Sequence, residues 1–129
     1  MTVEHIADSR VTVQSARLED VYVVTAAGEL DLYGAEPLRA ELDRVHEAGA
    51  ARLIVDLLRV TFLDSSALGV LVGAAKRQRA GGGEIVLVMD DPRTLRVFEV
   101  TGLDGVFNLE RSLPAAIDAA TAVALRGRP

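Results

Sequence analysis

In the first part of the chain, hydrophobic and polar residues alternate as they do in β-strands. Residues 11–13 read Val-Thr-Val, residues 21–26 are rich in β-branched side chains, and Glu19 and Asp20 lie between the two runs. This pattern predicts two strands joined as a hairpin near Glu19 and Asp20. We expect residues 1–10 to form a flexible tail and residues 11–126 to form one domain.

After the hairpin, four segments have the apolar spacing or the end signals of helices. They cover about 34–48, 66–80, a short stretch from Asp91-Pro92 to Gly102, and a last stretch capped by Ser112. Residues 52–58 and 85–88 are apolar almost throughout, which is typical of strands buried on both faces. Residues 106–109 are predicted as a short edge strand.

The order of these elements predicts an α/β fold. Helices that follow single apolar strands require crossover connections, so part of the sheet must be parallel. We expect a mixed β-sheet of four to five strands covered by about four α-helices. A chain of 129 residues without a linker or an internal repeat suits a single domain.

Composition narrows the classes of function. The net charge is −5, and no basic stripe or aromatic platform is present, so we expect no binding to nucleic acid. The apolar runs are far shorter than the roughly 20 residues of a membrane span, and the N-terminus does not resemble a signal peptide. Cysteine is absent. A cytoplasmic protein without membrane contact is therefore expected.

The stretch TFLDSSALGVLV, residues 61–72, places polar residues between two apolar runs. It comes where a strand ends and a helix begins, so either Asp64 or Ser65 can act as the N-cap, which contributes about 1 kcal/mol. The same position also suits a function. A phosphate on a serine here would meet the free N–H groups and the positive end of the helix.

A functional serine at this position also needs a surface for a partner. Leu63, Leu68 and Val72 flank the polar residues and are candidates for a docking patch. Phosphorylation would add about −1.5 to −2 charges and switch that patch off by repulsion and desolvation.

Other candidate sites have ordinary structural explanations. His5 lies in the expected tail and His46 on the polar side of the first helix, so neither is placed beside Ser65 as a catalytic base. Residues 81–83, Gly-Gly-Gly, predict a helix C-cap and a turn. The cationic run 76–79 either complements the dipole of its helix or steers an acidic partner.

Two motifs and their order resemble a known family. GELD at 28–31 precedes the first helix, and FLDSSALGVLVGA at 62–74 leads into the second. GGGEIVLV at 81–88 and RVFEVTGL at 96–103 also fit, so the likeness covers about residues 11–120. The chain resembles STAS domains of the bacterial anti-sigma factor antagonist type. One departure is Ala67, where the family usually has glycine.

The resemblance implies a regulator that is not an enzyme and needs no cofactor. Such proteins bind an anti-sigma factor that is a serine kinase, and this binding releases a sigma factor. The kinase phosphorylates the residue that corresponds to Ser65, and a serine phosphatase reverses the modification. Asp31, Asp64 and Ser66 would then belong to the partner-binding region with Leu68 and Val72, and we expect a monomer.

The resemblance also leaves an alternative function open. STAS domains serve as non-catalytic assembly modules in transporter or stressosome-like complexes. In that case the Asp-Ser-Ser sequence would be only a helix cap, without a phosphorylation switch.

Overall fold

The computed structural model describes the backbone of residues 2–8 and 11–126 and the side chains of residues 11–121. The described residues form six strands, four α-helices and one 3₁₀ turn. In chain order these are β1 (Thr2–Asp8), β2 (Val11–Leu18), β3 (Val21–Leu30), α1 (Ala35–Glu47), β4 (Arg52–Leu63), α2 (Ser65–Ala80), β5 (Glu84–Val88), α3 (Pro92–Thr101), the 3₁₀ turn Leu103–Gly105, β6 (Asn108–Glu110) and α4 (Leu113–Arg126).

The strands form one mixed sheet in the order β1-β2-β3-β4-β5-β6. β1, β2 and β3 pair antiparallel, whereas β3 through β6 pair parallel. The α/β class, the mixed sheet and the four helices predicted from the sequence are confirmed. The predicted hairpin is β2–β3, and its turn residue Glu19 has a left-handed φ of 57°.

The N-terminal segment differs from the expectation. Residues 1–10 were expected to be a flexible tail, but Thr2–Asp8 form β1, which pairs with β2 over most of its length. The physical reason is that β2 would otherwise be an edge strand with a row of unpaired N–H and C=O groups. Because of β1, the sheet has six strands instead of the four to five strands expected.

Helices cover the sheet on both faces. Leu53, Val55 and Leu57 of β4 belong to a large core cluster with residues of α1, α2 and α3. The alternate residue Ile54 belongs to a smaller cluster with Ala116 and Ala120 of α4. Since successive side chains of a strand point to opposite faces, this division explains why residues 52–58 are apolar almost throughout.

β3 and β4 pair with an irregularity that decides where the two strands end. The register shifts between Thr25 and Ala27 and again between Gly28 and Glu29. Each shift adds one residue to β4, so that Leu30 pairs with Leu63 rather than with Thr61. β4 therefore continues to Leu63 instead of ending near residue 58 as predicted.

The cationic run 76–79 makes contacts within its own chain at the end of α2. Arg77 forms an ion pair with Asp43 at 2.6 Å, and Arg79 donates to the carbonyl oxygen of Val106. Gln78 is buried and donates to the carbonyl oxygen of Ala50 at 2.9 Å. These contacts favour a structural role for residues 76–79 at the end of α2 over a role in steering an acidic partner.

The end of α1 is fixed to β2 by a buried polar cluster. The carboxylate of Glu41 is completely buried, accepts a hydrogen bond from the Ser15 hydroxyl, and pairs with Arg44 at 2.7 Å. Arg44 also donates to the Ser15 oxygen at 2.8 Å. The hydrogen bond from Arg44 to Glu41 raises the pKa of Arg44 above its ordinary value. The cluster thus compensates a buried charge.

We expect Arg44→Met to lower the free energy of unfolding by about 2–3 kcal/mol, because it leaves the buried Glu41 carboxylate without this cation. Urea denaturation followed by circular dichroism measures the change. Arg39→Met on the same helix is the matched control, since Arg39 pairs with Glu36 on the exposed face and should leave the midpoint unchanged. Equal losses in the two variants would contradict a role for the buried cluster.

Candidate functional site

Asp64 is the N-cap of α2. Its backbone is extended, and its Oδ1 accepts hydrogen bonds from the backbone N–H of Ser66 at 2.9 Å and of Ala67 at 3.2 Å. The structure thus decides between the two capping candidates in favour of Asp64. Because Asp64 satisfies these helix N–H groups, the hydroxyl of Ser65 is not needed as the cap.

Ser65 is the first residue of α2, and it is exposed. It follows directly after the end of β4 and lies at the positive end of the helix. Ser66 is half-buried in comparison. Of the two serines, Ser65 is therefore the one that another protein reaches more easily.

Asp31 reaches the same region from the neighbouring strand. Its Oδ1 accepts hydrogen bonds from the backbone N–H of Tyr33 at 3.0 Å and of Gly34 at 2.9 Å. The pairing of Leu30 with Leu63, together with the 3.1 Å bond from Asp64 N to Leu30 O, joins the ends of the two strands. The sequence-predicted site residues Asp31, Asp64, Ser65 and Ser66 thus lie at one edge of the sheet.

We call this edge, where β3, β4 and β5 end, the carboxyl edge. Leu68 and Val72, the predicted docking residues, lie further along α2, where they are half-buried and packed against the large core cluster. Ala67 is completely buried in that cluster. Its methyl group therefore fills the core and leaves the surface around Ser65 unchanged.

Sequence reasoning missed three exposed apolar side chains at the carboxyl edge. Leu32 is 61% exposed, Tyr33 69% and Phe62 52%. Phe62 also lines an open groove of about 210 Å³, whose walls are Thr61, Phe62, Leu63, Asp91, Arg93, Thr94 and Val97. The sequence did contain a signal for these side chains. Leu32 directly follows Asp31, and Phe62 lies two residues before Asp64, each near the point where the alternating pattern of a strand ends.

Neither a histidine base beside Ser65 nor a metal site is found among the residues whose side chains the structure describes. The Nδ1 of His46 lies 2.7 Å from the Oε1 of Gln78. Gln78 comes thirteen residues after Ser65, which corresponds to about 20 Å along α2, so His46 is far from Ser65. His5 lies outside the residues with described side chains. Within the described part of the chain, no group of three or more His, Cys, Asp or Glu residues is arranged to hold a metal ion.

Among residues 2–8 and 11–126, no helix combines the length and the apolar character needed to cross a membrane.

Proteins with similar sequences include anti-sigma-B factor antagonists. The anti-sigma-B factor antagonist of Bacillus subtilis is 35% identical over 99 residues, which cover 77% of this chain and 90% of that protein. The anti-sigma-B factor antagonist of Listeria monocytogenes is 36% identical over 91 residues, which cover 70% of this chain and 77% of that protein.

Solved structures with a similar fold include anti-sigma factor antagonists. An anti-sigma factor antagonist from Mycobacterium paratuberculosis has a TM-score of 0.80 and 30% identity, covering 86% of this chain and 94% of that one. The Bacillus cell fate determinant SpoIIAA in its phosphorylated form has a TM-score of 0.67 and 28% identity, covering 83% and 97%. The sequence profile of the STAS domain matches residues 12–116. The chain belongs to the STAS domain family.

Proposed function

We propose that this protein is an anti-sigma factor antagonist whose binding to a kinase-type anti-sigma factor is switched off by phosphorylation of Ser65. The observation that carries the proposal is the exposure of Ser65 at the first position of α2, beside a cap that Asp64 supplies. The similarity to anti-sigma factor antagonists supports the class of partner. That SpoIIAA, a relative of similar fold, exists in a phosphorylated form supports the kind of switch.

The chemistry requires only a hydroxyl group from this chain. The Ser65 oxygen attacks the γ-phosphorus of ATP held by the kinase, and the bond from that phosphorus to the bridging oxygen of ADP breaks. ADP leaves, and the hydroxyl proton passes to a base on the kinase or to solvent. A serine phosphatase later hydrolyses the phosphate ester. The protein acts as a non-catalytic monomer in the cytoplasm and binds no cofactor.

A phosphate on Ser65 changes the charge of the site without disrupting the fold. It adds about −1.5 to −2 charges at a helix start, where N–H groups and the helix dipole tolerate an anion. Asp31 and Asp64 already place carboxylates at the same edge of the sheet. The added charge therefore faces both these carboxylates and the nucleotide phosphates of the kinase, and the complex dissociates.

The neighbouring residues have separate roles in this proposal. Asp64 sets the start of α2 and thereby the position of the acceptor hydroxyl. Asp31 holds the turn beside it, and Ser66 contributes a half-buried polar surface. Leu68 and Val72 offer their exposed parts to the partner.

We expect Ser65→Ala to abolish phosphate incorporation, because the substitution removes the acceptor oxygen. The measurement is intact mass spectrometry after incubation with ATP and the anti-sigma factor kinase from the same genome. Ser66→Ala is the matched control and should still accept one phosphate. Equal incorporation into Ser65→Ala and the unmodified chain would show that another residue is the acceptor.

We expect Ser65→Asp to weaken binding to the kinase by about tenfold or more, because a fixed negative charge reproduces the repulsion. Isothermal titration calorimetry with the nucleotide-bound kinase measures the affinity. Ser112→Asp is the control, because Ser112 caps α4 through a bond from Ala115 N at 3.2 Å and aspartate caps equally well. A similar loss in both variants would indicate a general charge effect and contradict a local switch.

A further inference from the structure

Exposed apolar side chains are concentrated at the carboxyl edge and the adjoining face of α3. Among the residues with described side chains, six large hydrophobic residues are exposed: Leu18, Leu32, Tyr33, Phe62, Val97 and Val100. Leu18 lies beside the β2–β3 turn, at the opposite end of β3 from Asp31. The other five belong to the turn after β3, the end of β4 and α3. Apolar surface gathered in this way and bordered by polar groups is typical of a protein–protein contact.

The turn that carries Leu32 and Tyr33 is held by hydrogen bonds from its backbone N–H groups to Asp31. The Asp31 carboxylate accepts from two N–H groups of this turn, and Ala35 N donates to Asp31 O at 2.9 Å. A Cβ atom at Gly34 would lie 2.4 Å from the carbonyl oxygen of Glu29. Because the turn is tightly packed beneath, Leu32 and Tyr33 are presented to solvent on a rigid support, which lowers the entropy cost of binding them.

On the other side of Ser65, the groove adds a second apolar surface. Phe62 and Val97 both line it, and Val97 is 41% exposed. Leu63, the residue before Asp64, is also part of its wall. Because β4 lies between β3 and β5 in the sheet, the turn after β3 and the groove beside α3 lie on either side of the end of β4, which Ser65 follows.

The charges at the carboxyl edge have predominantly one sign. Asp31 follows β3, Asp64 follows β4, and Asp90 and Asp91 come two and three residues after the end of β5. Arg93 is the cationic residue among those that line the groove. Its side chain is 89% exposed, and its Nε lies 3.6 Å from Oδ1 of Asp91. A surface complementary to this edge must itself carry cationic groups.

We infer that Leu32, Tyr33, Phe62 and Val97, which we call the apolar rim, are the docking and specificity determinants of the anti-sigma factor kinase. This inference rests on the proposed function and adds the chemistry of the partner. The partner surface has apolar recesses for the rim, with Tyr33 as the main anchor, and arginine or lysine side chains around them. Aromatic residues on rigid supports are the kind that dominate binding energy in interfaces.

An acidic edge and a phosphate switch are compatible, because they meet different parts of the kinase. The aspartates around the rim face the cationic border of the partner surface. Ser65, at the centre, faces the γ-phosphate of ATP during transfer, because that is the group it attacks. After the transfer that phosphate is on Ser65 and the kinase holds ADP, so the phosphoserine faces the β-phosphate of the nucleotide while the contacts at the border remain favourable.

The binding partner in the test is the kinase that phosphorylates Ser65, loaded with a non-hydrolysable ATP analogue. Surface plasmon resonance measures its affinity for each variant at low and high salt. Tyr33→Ala should weaken binding by about tenfold or more, mainly through faster dissociation. Leu18→Ala, a similarly exposed apolar residue far from the edge, should leave the affinity within about twofold. Affinity should fall with salt, and Asp90→Asn should reduce that dependence. Thermal unfolding verifies that each variant is folded.

The outcomes separate this inference from the proposed function. Unchanged affinity of Tyr33→Ala and of Phe62→Ala, with Ser65 still phosphorylated, would overturn the docking role and leave the switch intact. Failure of the unmodified chain to bind the kinase or to accept phosphate would refute the proposed function itself. If size-exclusion chromatography shows that the rim instead mediates a dimer of this chain, which Tyr33→Ala dissociates, the kinase-docking inference is also wrong.

Discussion

The parallel pairing of β3 with β4 is the constraint on which the site depends. Two bulges lengthen β4 relative to β3, so Leu30 meets Leu63 and Asp64 N bonds to Leu30 O. Asp31 and Asp64 consequently follow paired residues, although they are far apart in the chain. A β-bulge re-aims the residues that follow it. Here the residues re-aimed are the aspartate that caps α2 and the serine beside it.

In the Asp-Ser-Ser sequence, the helix cap and the exposed hydroxyl group belong to different residues. Asp64 caps α2, which is the structural interpretation, and because it does so the hydroxyl of Ser65 remains at the surface. Ala67 stands where the family usually has glycine. Because the Ala67 methyl group is buried, this difference changes the packing of the core. Stability and accessibility are thus assigned to different residues of one short segment, and a change in charge on Ser65 does not remove the cap.

The rest of the molecule keeps this edge rigid. The two core clusters fix the sheet between α1, α2 and α3 on one face and α4 on the other. Away from the site, the Glu41 cluster ties α1 to β2, and Gln78 ties the end of α2 to Ala50. A scaffold supported in this way favours a switch that acts through local electrostatics and contact surface rather than through refolding. In the proposed complex, the exposed apolar rim is a preformed surface for the kinase.

The sequence by itself determined the helices, the N-caps of α3 and α4, the hairpin and the position of the serine motif, because periodicity and capping signals are local properties of the chain. For α2 it left Asp64 and Ser65 as alternative caps, and the structure selects Asp64. α1 and α3 lie within a residue or so of their predicted bounds, and Ser112 caps α4 as expected. Only the tertiary structure decided that residues 2–8 pair with β2, that β4 extends to Leu63, and that Leu32, Tyr33 and Phe62 face solvent. The reason is physical: strand pairing, register and exposure depend on partners distant in the sequence, and a bulge shifts every residue after it.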